Sequence, residues 1–318
     1  MTKRILISLG GNALGTDSAE LERTAQLVAR PIARLVHEGY EIVLCHGNGP
    51  QVGMLKTAFE LGGSAAKLPD MPLFECVAMS QAYIGHHLQN ALQNELKRLD
   101  VPQPVVTLLT RVVVDGADPR FQNPTKPIGA FHTKEEAERL AASGKVMKED
   151  AGRGYRETVA SPLPIRIVER DMAKTLLENG ALVIAGGGGG IPVLDGENGY
   201  EPVDVVIDKD WVSVLLAEDI GCDSMIILTG VEKVAVHFQK PDERWLDRMT
   251  ISEAERYMAD GEFPAGSMLP KVEAAIAFTR SDSGRRTLIT SLERLAEGLR
   301  GETGTWVVSD EEGDLNGD

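Results

Sequence analysis

Short apolar runs alternate with amphipathic stretches from the beginning of the chain. Residues 4–9 and 40–45 are apolar runs of strand length, and the apolar positions between them recur at helical spacing. A strand, a crossover helix and a second strand form the repeating unit of a parallel sheet. We therefore predict that the chain opens with this unit, and that Pro31 kinks or divides its helix.

The same alternation continues along the chain and predicts an α/β protein built on a parallel sheet. Further helices are predicted at 54–61, 71–99, 173–177, 212–217, 253–258 and 266–278. Further strands are predicted at 104–110, 112–114, 181–185, 204–207, 225–228, 287–289 and 305–308, the last at an edge of the sheet. In open sheets of this kind, ligands bind outside the carboxyl ends of the strands.

Residues 115–165 interrupt this pattern. They are rich in charge, glycine and proline, and only 134–142 has helical periodicity. A long irregular stretch in a compact domain is usually functional. We predict an inserted subdomain or lid at 115–165, within a main domain that spans residues 1–308.

The predicted helix at 71–99 is apolar on most sides over its first half. A helix with this pattern lies in a protein core or at a subunit interface. We favour a homodimer interface as a hypothesis. A monomer mass in light scattering at micromolar concentration would contradict it.

Composition and charge exclude several classes of protein. The 318 residues carry a net charge of −15, which argues against sequence-independent binding of nucleic acid. No apolar run reaches the length of a membrane span. The cysteines, Cys45, Cys76 and Cys222, lack metal-type spacing, so we expect reduced thiols in a cytoplasmic protein. Acidic residues crowd 309–318, where we predict a disordered tail.

Three of the predicted strands run directly into glycine-rich segments. These segments are Gly10-Gly11-Asn12 after residues 5–9, Gly47-Asn48-Gly49 after residues 42–45 and His46, and five glycines at 186–190 after residues 181–185. Bare backbone at the end of a strand lets a ligand approach and can turn N–H groups toward an anion. Taken alone, the five-glycine run also fits a flexible linker. Three such exits together predict one phosphate-binding crevice.

Three lysines lie where a lysine is locally unfavourable or rigidly held. Lys271 follows Pro270 at a predicted helix start, where a cation opposes the helix dipole. Lys209 stands between two aspartates after a predicted strand, and Lys126 is flanked closely by prolines. Each also has an ordinary interpretation. These are a solvated Lys271, a helix cap by Asp210 beside a solvent-facing Lys209, and an idle loop lysine at 126.

Convergent lysines and N–H-rich loops fit phosphoryl transfer, in which a protein mainly positions substrates and stabilises charge. Neither a Walker A sequence nor the motif set of protein kinases is present. No His–Glu–His or paired-cysteine spacing indicates a metal site. Among the histidines, His46 at a strand end is a site candidate, whereas His86-His87 are expected to serve packing or an interface.

Seven segments together resemble the carbamate kinases of the amino acid kinase family. They are 8–13, 46–53, 123–129, 148–154, 187–192, 206–210 and 266–271. The resemblance spans about residues 3–308 and implies a three-layer αβα sandwich with a mainly parallel central sheet, a small protruding subdomain and a homodimer. It also implies that carbamoyl phosphate and ADP give ATP and carbamate reversibly, with Mg²⁺ on the nucleotide phosphates, in arginine catabolism.

The resemblance also assigns roles to individual residues. Lys126, Lys209 and Lys271 would stabilise charge, held in place by Asp210 or else by Asp208. The site of the carbamate and the transferred phosphoryl group would be lined by Gly10, Gly11, Asn12, Gly47, Asn48 and Gly49. The nucleotide would be bordered by Thr229, Gly230, Ser267 and Met268. No protein side chain is expected to bind the Mg²⁺ directly.

One departure from the wider family concerns Ser8. Acetylglutamate-type relatives carry a lysine at this position, and the carbamate kinase pattern supplies that cation through Lys126 instead. A carbamate oxygen is already anionic, so the nucleophile needs no general base.

Two alternatives stay open. A family member acting on aspartate or acetylglutamate would need an arginine or a hydrophobic pocket for the larger side chain. A phosphate-binding regulatory protein without turnover could have lost one of the three lysines, and all three are present.

Overall fold

The structure, a computed structural model, describes residues 3–10, 14–15, 17–66, 69, 71–150, 153–264 and 267–314. The helices in these ranges are α1 (Ser18–His37), α2 (Gly49–Ala66), α3 (Leu73–Arg98), α4 (Lys134–Ala142), α5 (Arg170–Glu178), α6 (Lys209–Asp219), α7 (Ile251–Ala259), α8 (Leu269–Arg280), α9 (Leu295–Leu299) and α10 (Asp310–Asp314). The strands are β1 (Arg4–Leu9), β2 (Glu41–His46), β3 (Val105–Thr107), β4 (Arg111–Val114), β5 (Lys126–His132), β6 (Met147–Glu149), β7 (Tyr155–Val159), β8 (Pro164–Ile167), β9 (Leu182–Ile184), β10 (Ile191–Gly196), β11 (Gly199–Pro202), β12 (Ser224–Thr229), β13 (Val234–Val236), β14 (Arg244–Leu246), β15 (Arg248–Thr250), β16 (Arg286–Ser291) and β17 (Thr305–Val308).

The largest sheet of the described residues has eight strands, in the order β15-β17-β16-β12-β1-β2-β9-β3. Strand β1 pairs in parallel with both β12 and β2, and β9 pairs in parallel with β2 and β3. Strand β17 runs antiparallel to β16. The sheet is therefore mainly parallel, and the carboxyl ends of β12, β1, β2 and β9 lie along one edge.

Alternate side chains of the buried strands enter two separate cores, because successive residues of a strand point to opposite faces. On one face, Leu6 of β1 and Val43 of β2 belong to a cluster with residues of α5, α6, α7 and α8. On the other face, Ile5 and Ile7 belong to a cluster with residues of α1 and α3. The molecule is thus a three-layer αβα sandwich, and the predicted fold class is confirmed.

The segment predicted as an insertion contains a three-stranded antiparallel sheet, β5-β7-β6, with α4 against it. Helix α4 begins after Thr133 in a capping box and confirms the predicted helix at 134–142. This sheet lies close to α2, because a Cβ on Gly53 would stand 2.7 Å from the Cα of Gly129. Lys145 joins the two parts through ion pairs with Glu60 at 2.6 Å and Glu157 at 2.9 Å.

Residues 204–207 are not a strand, which corrects one prediction. Val205, Val206 and Ile207 are buried, as their apolar character predicts. However, Val206 donates its N–H to the carbonyl of Ala160 at 3.1 Å without a sheet ladder around it. The Ile207 carbonyl lies where a Cβ on Gly189 would be, at 2.1 Å. The segment's three apolar residues are thus buried by packing against loops and not by sheet pairing.

Several boundaries also differ from the predictions. Helix α1 runs undivided through Pro31, and α2 begins at Gly49 instead of residue 54. Strand β3 joins the large sheet, whereas β4 joins a separate sheet in the order β11-β10-β4-β8. Strand β17 is not at the edge, because β15 pairs with its outer side. The longer-range pairing, which no local pattern specifies, decides each of the last two cases.

The predicted disordered tail begins with a helix instead. Asp310 of α10 accepts hydrogen bonds from the N–H and the hydroxyl of Ser252, at 3.0 and 2.9 Å, in the first turn of α7. A carboxylate at this position satisfies otherwise unpaired N–H groups of that helix. Residues 315–318 lie outside the described residues.

The described helices and the cysteines bear on the expectations for membranes and thiols. None of the described helices combines the length and the apolar character that a membrane span requires. Cys45, Cys76 and Cys222 are buried, and none of them forms a disulfide. The expected burial of these thiols is confirmed.

Candidate active site

The N-terminus of α6 organises the charged part of the site. Asp208 caps this helix by accepting the N–H of Asp210 at 2.9 Å. Lys209 is therefore the first helical residue, a position where the helix dipole disfavours a cation. The predicted alternative of a cap by Asp210 is wrong, because Asp208 is the cap.

Asp210 holds two of the three predicted lysines. Its Oδ1 accepts a hydrogen bond from Nζ of Lys209 at 2.5 Å, and its Oδ2 accepts one from Nζ of Lys271 at 3.2 Å. The side chains of Lys209 and Lys271 are only 11% and 17% exposed, and that of Asp210 is 4% exposed. Neither lysine is therefore the solvated side chain of the alternative interpretation.

Lys126 reaches the same helix end from the inserted sheet. It is the first residue of β5, and its Nζ lies 2.6 Å from Oδ2 of Asp208. At 37% exposed, it is the most accessible of the three lysine side chains. Both candidate aspartates thus hold lysines, Asp210 two of them and Asp208 the third.

The shared carboxylate sets the protonation of this cluster. Burial raises the pKa of Asp210, but the charges of Lys209 and Lys271 outweigh it and hold that pKa well below its usual range. Burial lowers the pKa of Lys209, and the close Asp210 reverses this effect and raises it. The pKa of Lys271 stays lowered by burial, because its contact with Asp210 is longer and Lys209 repels it.

The cluster therefore carries more positive than negative charge. Three ammonium groups face two carboxylates, which leaves one positive charge at the end of a helix whose N–H groups also favour anions. Such an arrangement attracts a phosphate despite the negative net charge of the whole chain.

Two of the predicted glycine segments meet beside this helix end. Leu9 of β1 pairs with His46 of β2 and with Leu228 of β12, so Gly10 and Gly47 follow neighbouring strand ends. The N–H of Gly47 also donates to the carbonyl of Leu9 at 3.0 Å. Gly49 is the first residue of α2, with nothing within 4 Å of a Cβ placed on it. Gly11 and Asn12 lie outside the described residues.

The five-glycine run is a packed turn, so the linker interpretation is wrong. All five glycines are buried, and Gly186, Gly188, Gly189 and Gly190 have positive φ angles of 65–86°. A Cβ on Gly188 would lie 2.1 Å from Nδ2 of Asn48. Glycine is required here both for the backbone conformation and for the close approach of Asn48.

Buried polar side chains support this turn. Asn48 donates to the hydroxyl of Ser80 at 2.8 Å. Gln81 donates to the carbonyls of Thr110 and Gly187, at 3.1 and 3.0 Å, and accepts the N–H of Thr110 at 2.8 Å. These contacts fix the loops after β2 and β9 to helix α3.

His46, the one histidine considered for the site, is buried under the same turn. Its Nδ1 lies 3.0 Å from the carbonyl of Gly47, and its Nε2 would be 2.5 Å from a Cβ on Gly187. Burial, with the charge of Lys209, lowers the pKa of His46 to about 4. We conclude that His46 is a neutral packing group beneath the glycine backbone.

The residues predicted to border the nucleotide lie on two adjacent elements. Thr229 ends β12, directly after Leu228, and Gly230 follows it. Met268 precedes α8, and its carbonyl accepts the N–H of Lys271 at 3.0 Å. Ser267 donates its N–H to the carbonyl of Pro264 at 3.2 Å. Ser267 and Met268 therefore approach the charged cluster through Lys271.

Ser8 was noted in the sequence only as a position without a lysine, and neither its contact with Lys209 nor the role of Ser213 was predicted. Nζ of Lys209 donates to the hydroxyl of Ser8 at 2.8 Å, and Ser213 donates to the same hydroxyl at 3.1 Å. Ser8 thus contacts a lysine brought from α6. The available signal was a serine two residues before the Gly10-Gly11 pair, within an otherwise apolar strand.

The arrangement of the carboxylates bears on where a divalent cation could bind. Both oxygens of Asp208 and of Asp210 accept hydrogen bonds from lysines or from backbone. Across the described residues, no group of three or more His, Cys, Asp or Glu side chains is placed to hold a metal ion. These residues fit a Mg²⁺ that is carried by nucleotide phosphates.

A mainly parallel αβα sheet whose strand ends carry bare backbone and clustered lysines defines an anion-binding α/β enzyme. The chain belongs to the amino acid kinase family, whose model matches residues 3–291. This membership, together with the relatives described next, makes the protein a phosphotransferase.

Individual relatives cover nearly the whole chain. It is 52% identical to the carbamate kinase-like protein YqeA of Escherichia coli over 306 residues, 96% of this chain and 99% of the relative. It is 48% identical to the carbamate kinase of Staphylococcus haemolyticus, again over 96% and 99%. The structure of carbamate kinase from Giardia lamblia bound to AMP-PNP superimposes with a TM-score of 0.89, at 41% identity, covering 97% of this chain and 99% of that one.

Proposed function

We propose that this protein is a carbamate kinase, which converts carbamoyl phosphate and ADP reversibly into ATP and carbamate. One observation carries the proposal: Lys126, Lys209 and Lys271 converge on Asp208 and Asp210 at the start of α6. The named relatives supply the identity of the acceptor, since two of the most similar proteins are a carbamate kinase and a carbamate kinase-like protein.

In the proposed reaction, a terminal phosphate oxygen of ADP attacks the phosphorus of carbamoyl phosphate. A new P–O bond forms to ADP, and the bond between phosphorus and the carbamoyl oxygen breaks. The electron pair of that bond leaves on carbamate, which departs as an anion. No proton has to move, so no general base or acid is needed in either direction.

The three lysines would stabilise the charge that spreads over the transferred group and its two partners. Lys209 and Lys271 are mounted on different helices and held by one carboxylate, so their positions are fixed before substrates bind. Lys126 would approach from the inserted sheet as the third cation around the transferred group. The backbone after β1 and β2 would hold the carbamoyl group.

Mg²⁺ enters this proposal as part of the nucleotide substrate. When bound to the phosphates, it neutralises charge and holds them in one conformation. Asp208 and Asp210 would act on the lysines and not on the metal, because their oxygens already accept hydrogen bonds.

The proposal also covers the metabolic role, the compartment and the oligomeric state of the protein. The resemblance supports a role in arginine catabolism, and three buried cysteines without a disulfide support a reducing, cytoplasmic compartment. A homodimer is inferred from the same resemblance.

The test is a measurement of ATP formed by the purified protein from carbamoyl phosphate, ADP and Mg²⁺, followed by initial rates in the reverse direction with a panel of small acids. We expect ATP formation, and in reverse a preference for carbamate over aspartate and acetylglutamate. Preference for one of the larger acids would assign a different acceptor. Nucleotide binding without any turnover would indicate a regulatory protein.

A further inference from the structure

The three lysines of the site are mounted in different ways. Lys209 and Lys271 belong to α6 and α8, which pack on the large sheet. Lys126 begins β5 of the inserted sheet, and its Nζ lies 2.6 Å from Oδ2 of Asp208. The position of its ammonium group therefore depends on how the inserted sheet is held against the main domain.

Apolar packing closes only part of the junction between the inserted sheet and the main domain. Ile128 of β5 is buried in a small cluster with Val52 of α2 and with Val206. Beside this cluster lies a cleft of about 670 Å³, whose lining includes Phe59 of α2 and Val159 of β7. Contacts other than packing must therefore help to fix the sheet in place.

Lys145 connects the two sides of this cleft. It lies between α4 and β6, and its Nζ is 2.6 Å from Oε1 of Glu60 on α2 and 2.9 Å from Oε2 of Glu157 on β7. Glu157 pairs with Ile128 in the strand ladder, two residues after Lys126. One ammonium group thus joins α2 to the sheet that carries Lys126.

The surroundings of Lys145 make this connection stronger than an ordinary surface ion pair. Lys145, Glu60 and Glu157 all line the cleft, and their side chains are partly buried, so solvent screens them less than an exposed pair. Burial lowers the pKa of Lys145, but its hydrogen bonds and charge interactions with the two glutamates outweigh this effect and raise it. Lys145 is therefore charged at neutral pH, and short charge-assisted hydrogen bonds fix its direction.

We infer that the ion pair between Lys145 and Glu60 holds the inserted sheet where Lys126 meets the transferred phosphoryl group. Both are positioning residues, which act through Lys126. This inference rests on the proposed function, which assigns Lys126 to that group. A displacement of about 1 Å can cost about 100-fold in rate, so a loosened attachment of the sheet should lower kcat.

The experiment compares Glu60→Met with the matched control Glu157→Met. Each variant removes one carboxylate from Lys145, but only the contact with Glu60 reaches the main domain. Glu60→Met should lower kcat for ATP formation from carbamoyl phosphate and ADP by about 10-fold, with less than about a twofold change in KM for ADP. Glu157→Met should change either constant by less than about threefold, because Lys145 keeps its contact with Glu60.

A second pair of proteins shows whether the effect passes through Lys126. Glu60→Met should lower kcat about 10-fold in wild type but less than about twofold in Lys126→Ala, where no ammonium group remains to be positioned. A general structural defect would lower the rate by the same factor in both backgrounds. Equal factors in the two backgrounds, or equal losses in Glu60→Met and Glu157→Met, would overturn the inference.

Hydrogen exchange supplies a readout that does not depend on ATP formation. Amide exchange in β5 should be faster in Glu60→Met than in wild type, and an unchanged rate would contradict an attachment through Glu60. No ATP from folded wild type would instead refute the proposed function, which separates the two failures. Circular dichroism checks folding. If Glu60→Met does not fold, Glu60→Gln replaces it, with a smaller expected loss in kcat of about threefold because a neutral hydrogen bond remains.

Discussion

Lys209 combines two features that would be unfavourable separately. It is a cation at a helix N-terminus, and its side chain is almost fully buried. Burial of an unpaired charge is very costly, and a cation at this helix end is disfavoured further. Asp210 and Ser8 offset these costs by accepting hydrogen bonds from its ammonium group. Because the fold stabilises a cation where one is unfavourable, we infer that the charge of Lys209 is needed for function.

Lys209→Ala should reduce kcat by about 10²- to 10³-fold, because one preorganised charge is lost from the transferred phosphoryl group. The variant should remain folded, since Asp210 keeps its contact with Lys271. The rate is measured as ATP formed, and the fold by circular dichroism. Lys174→Ala, an exposed lysine on α5, serves as control and should keep full activity. Near-normal turnover of Lys209→Ala would contradict the assigned role.

The buried, neutral His46 should make the stability of the protein depend on pH. Burial lowers its pKa to about 4 in the folded protein, against 6.5 in the unfolded chain. Between these values the unfolded chain binds a proton that the folded protein does not, so stability should fall as the pH drops from 6.5 toward 4. The loss should approach roughly 3 kcal/mol at about 1.36 kcal/mol per pKa unit.

The prediction is checked by urea unfolding of wild type and His46→Gln between pH 4.5 and 7. The variant should show a shallower decline, because its side chain does not titrate. If the free energy of unfolding declines equally in the two proteins, groups other than His46 cause the loss of stability at low pH.

At the scale of elements, the turn after β9 is defined by its contacts with the loop after β2. Gly188→Ala would strain a positive φ and also drive a Cβ into Asn48. Gly180→Ala is a matched control, because Gly180 has φ +84° with nothing within 4 Å of its Cβ position. Left-handed backbone costs a non-glycine residue about 1–2 kcal/mol, and overpacking costs about 1–3 kcal/mol more.

Gly188→Ala should therefore lower the free energy of unfolding by about 2–5 kcal/mol, and Gly180→Ala by about 1–2 kcal/mol. Activity should fall only in Gly188→Ala, since Asn48 lies at the proposed carbamate site. Unfolding curves and ATP formation measure the two effects. Equal behaviour of the two variants would show that the contact with Asn48 is unimportant.

At the scale of the molecule, most of the apolar surface of α3 is already buried within the chain. Its residues Ile84 and Leu88 pack in one core, and Leu73 and Val77 in another. What remains exposed is a cleft of about 430 Å³ between α3 and the edge strand β3. The cleft is lined by Ala82, His86, Gln89, Asn90, Gln93, Thr107 and Leu109. An uncovered sheet edge beside such a face is suited to a second copy of the chain.

We predict a homodimer that uses this surface. Light scattering at micromolar concentration should give twice the chain mass of 34.4 kDa. Leu109, which is 53% exposed, should contribute, so Leu109→Glu should shift the protein toward monomer. Trp245→Glu is the control, because Trp245 is similarly exposed but lies on β14, in a separate two-stranded sheet. A monomeric wild type would refute the prediction.

Local sequence alone determined much of this protein. The helix at 134–142 was predicted correctly because its capping residues and periodicity are contained within the segment. The glycine-rich strand exits and the three unusual lysines were also visible, since each depends on adjacent residues. Together with the family resemblance, these patterns were enough for the fold class and for the residues that the structure brings together at α6.

Only the tertiary structure decided how these parts meet. The contacts from Lys126 to Asp208 and from Lys209 to Ser8 join residues 82 and 201 positions apart, and no local pattern specifies such pairs. The same is true of the segment 204–207, whose buried apolar residues at 205–207 pack without a partner strand. Nothing in the sequence around Gln51 is unusual. Only the structure shows that its Oε1 is buried without a hydrogen-bond donor. Burial and pairing are properties of the whole fold, whereas periodicity and turn chemistry are properties of neighbouring residues.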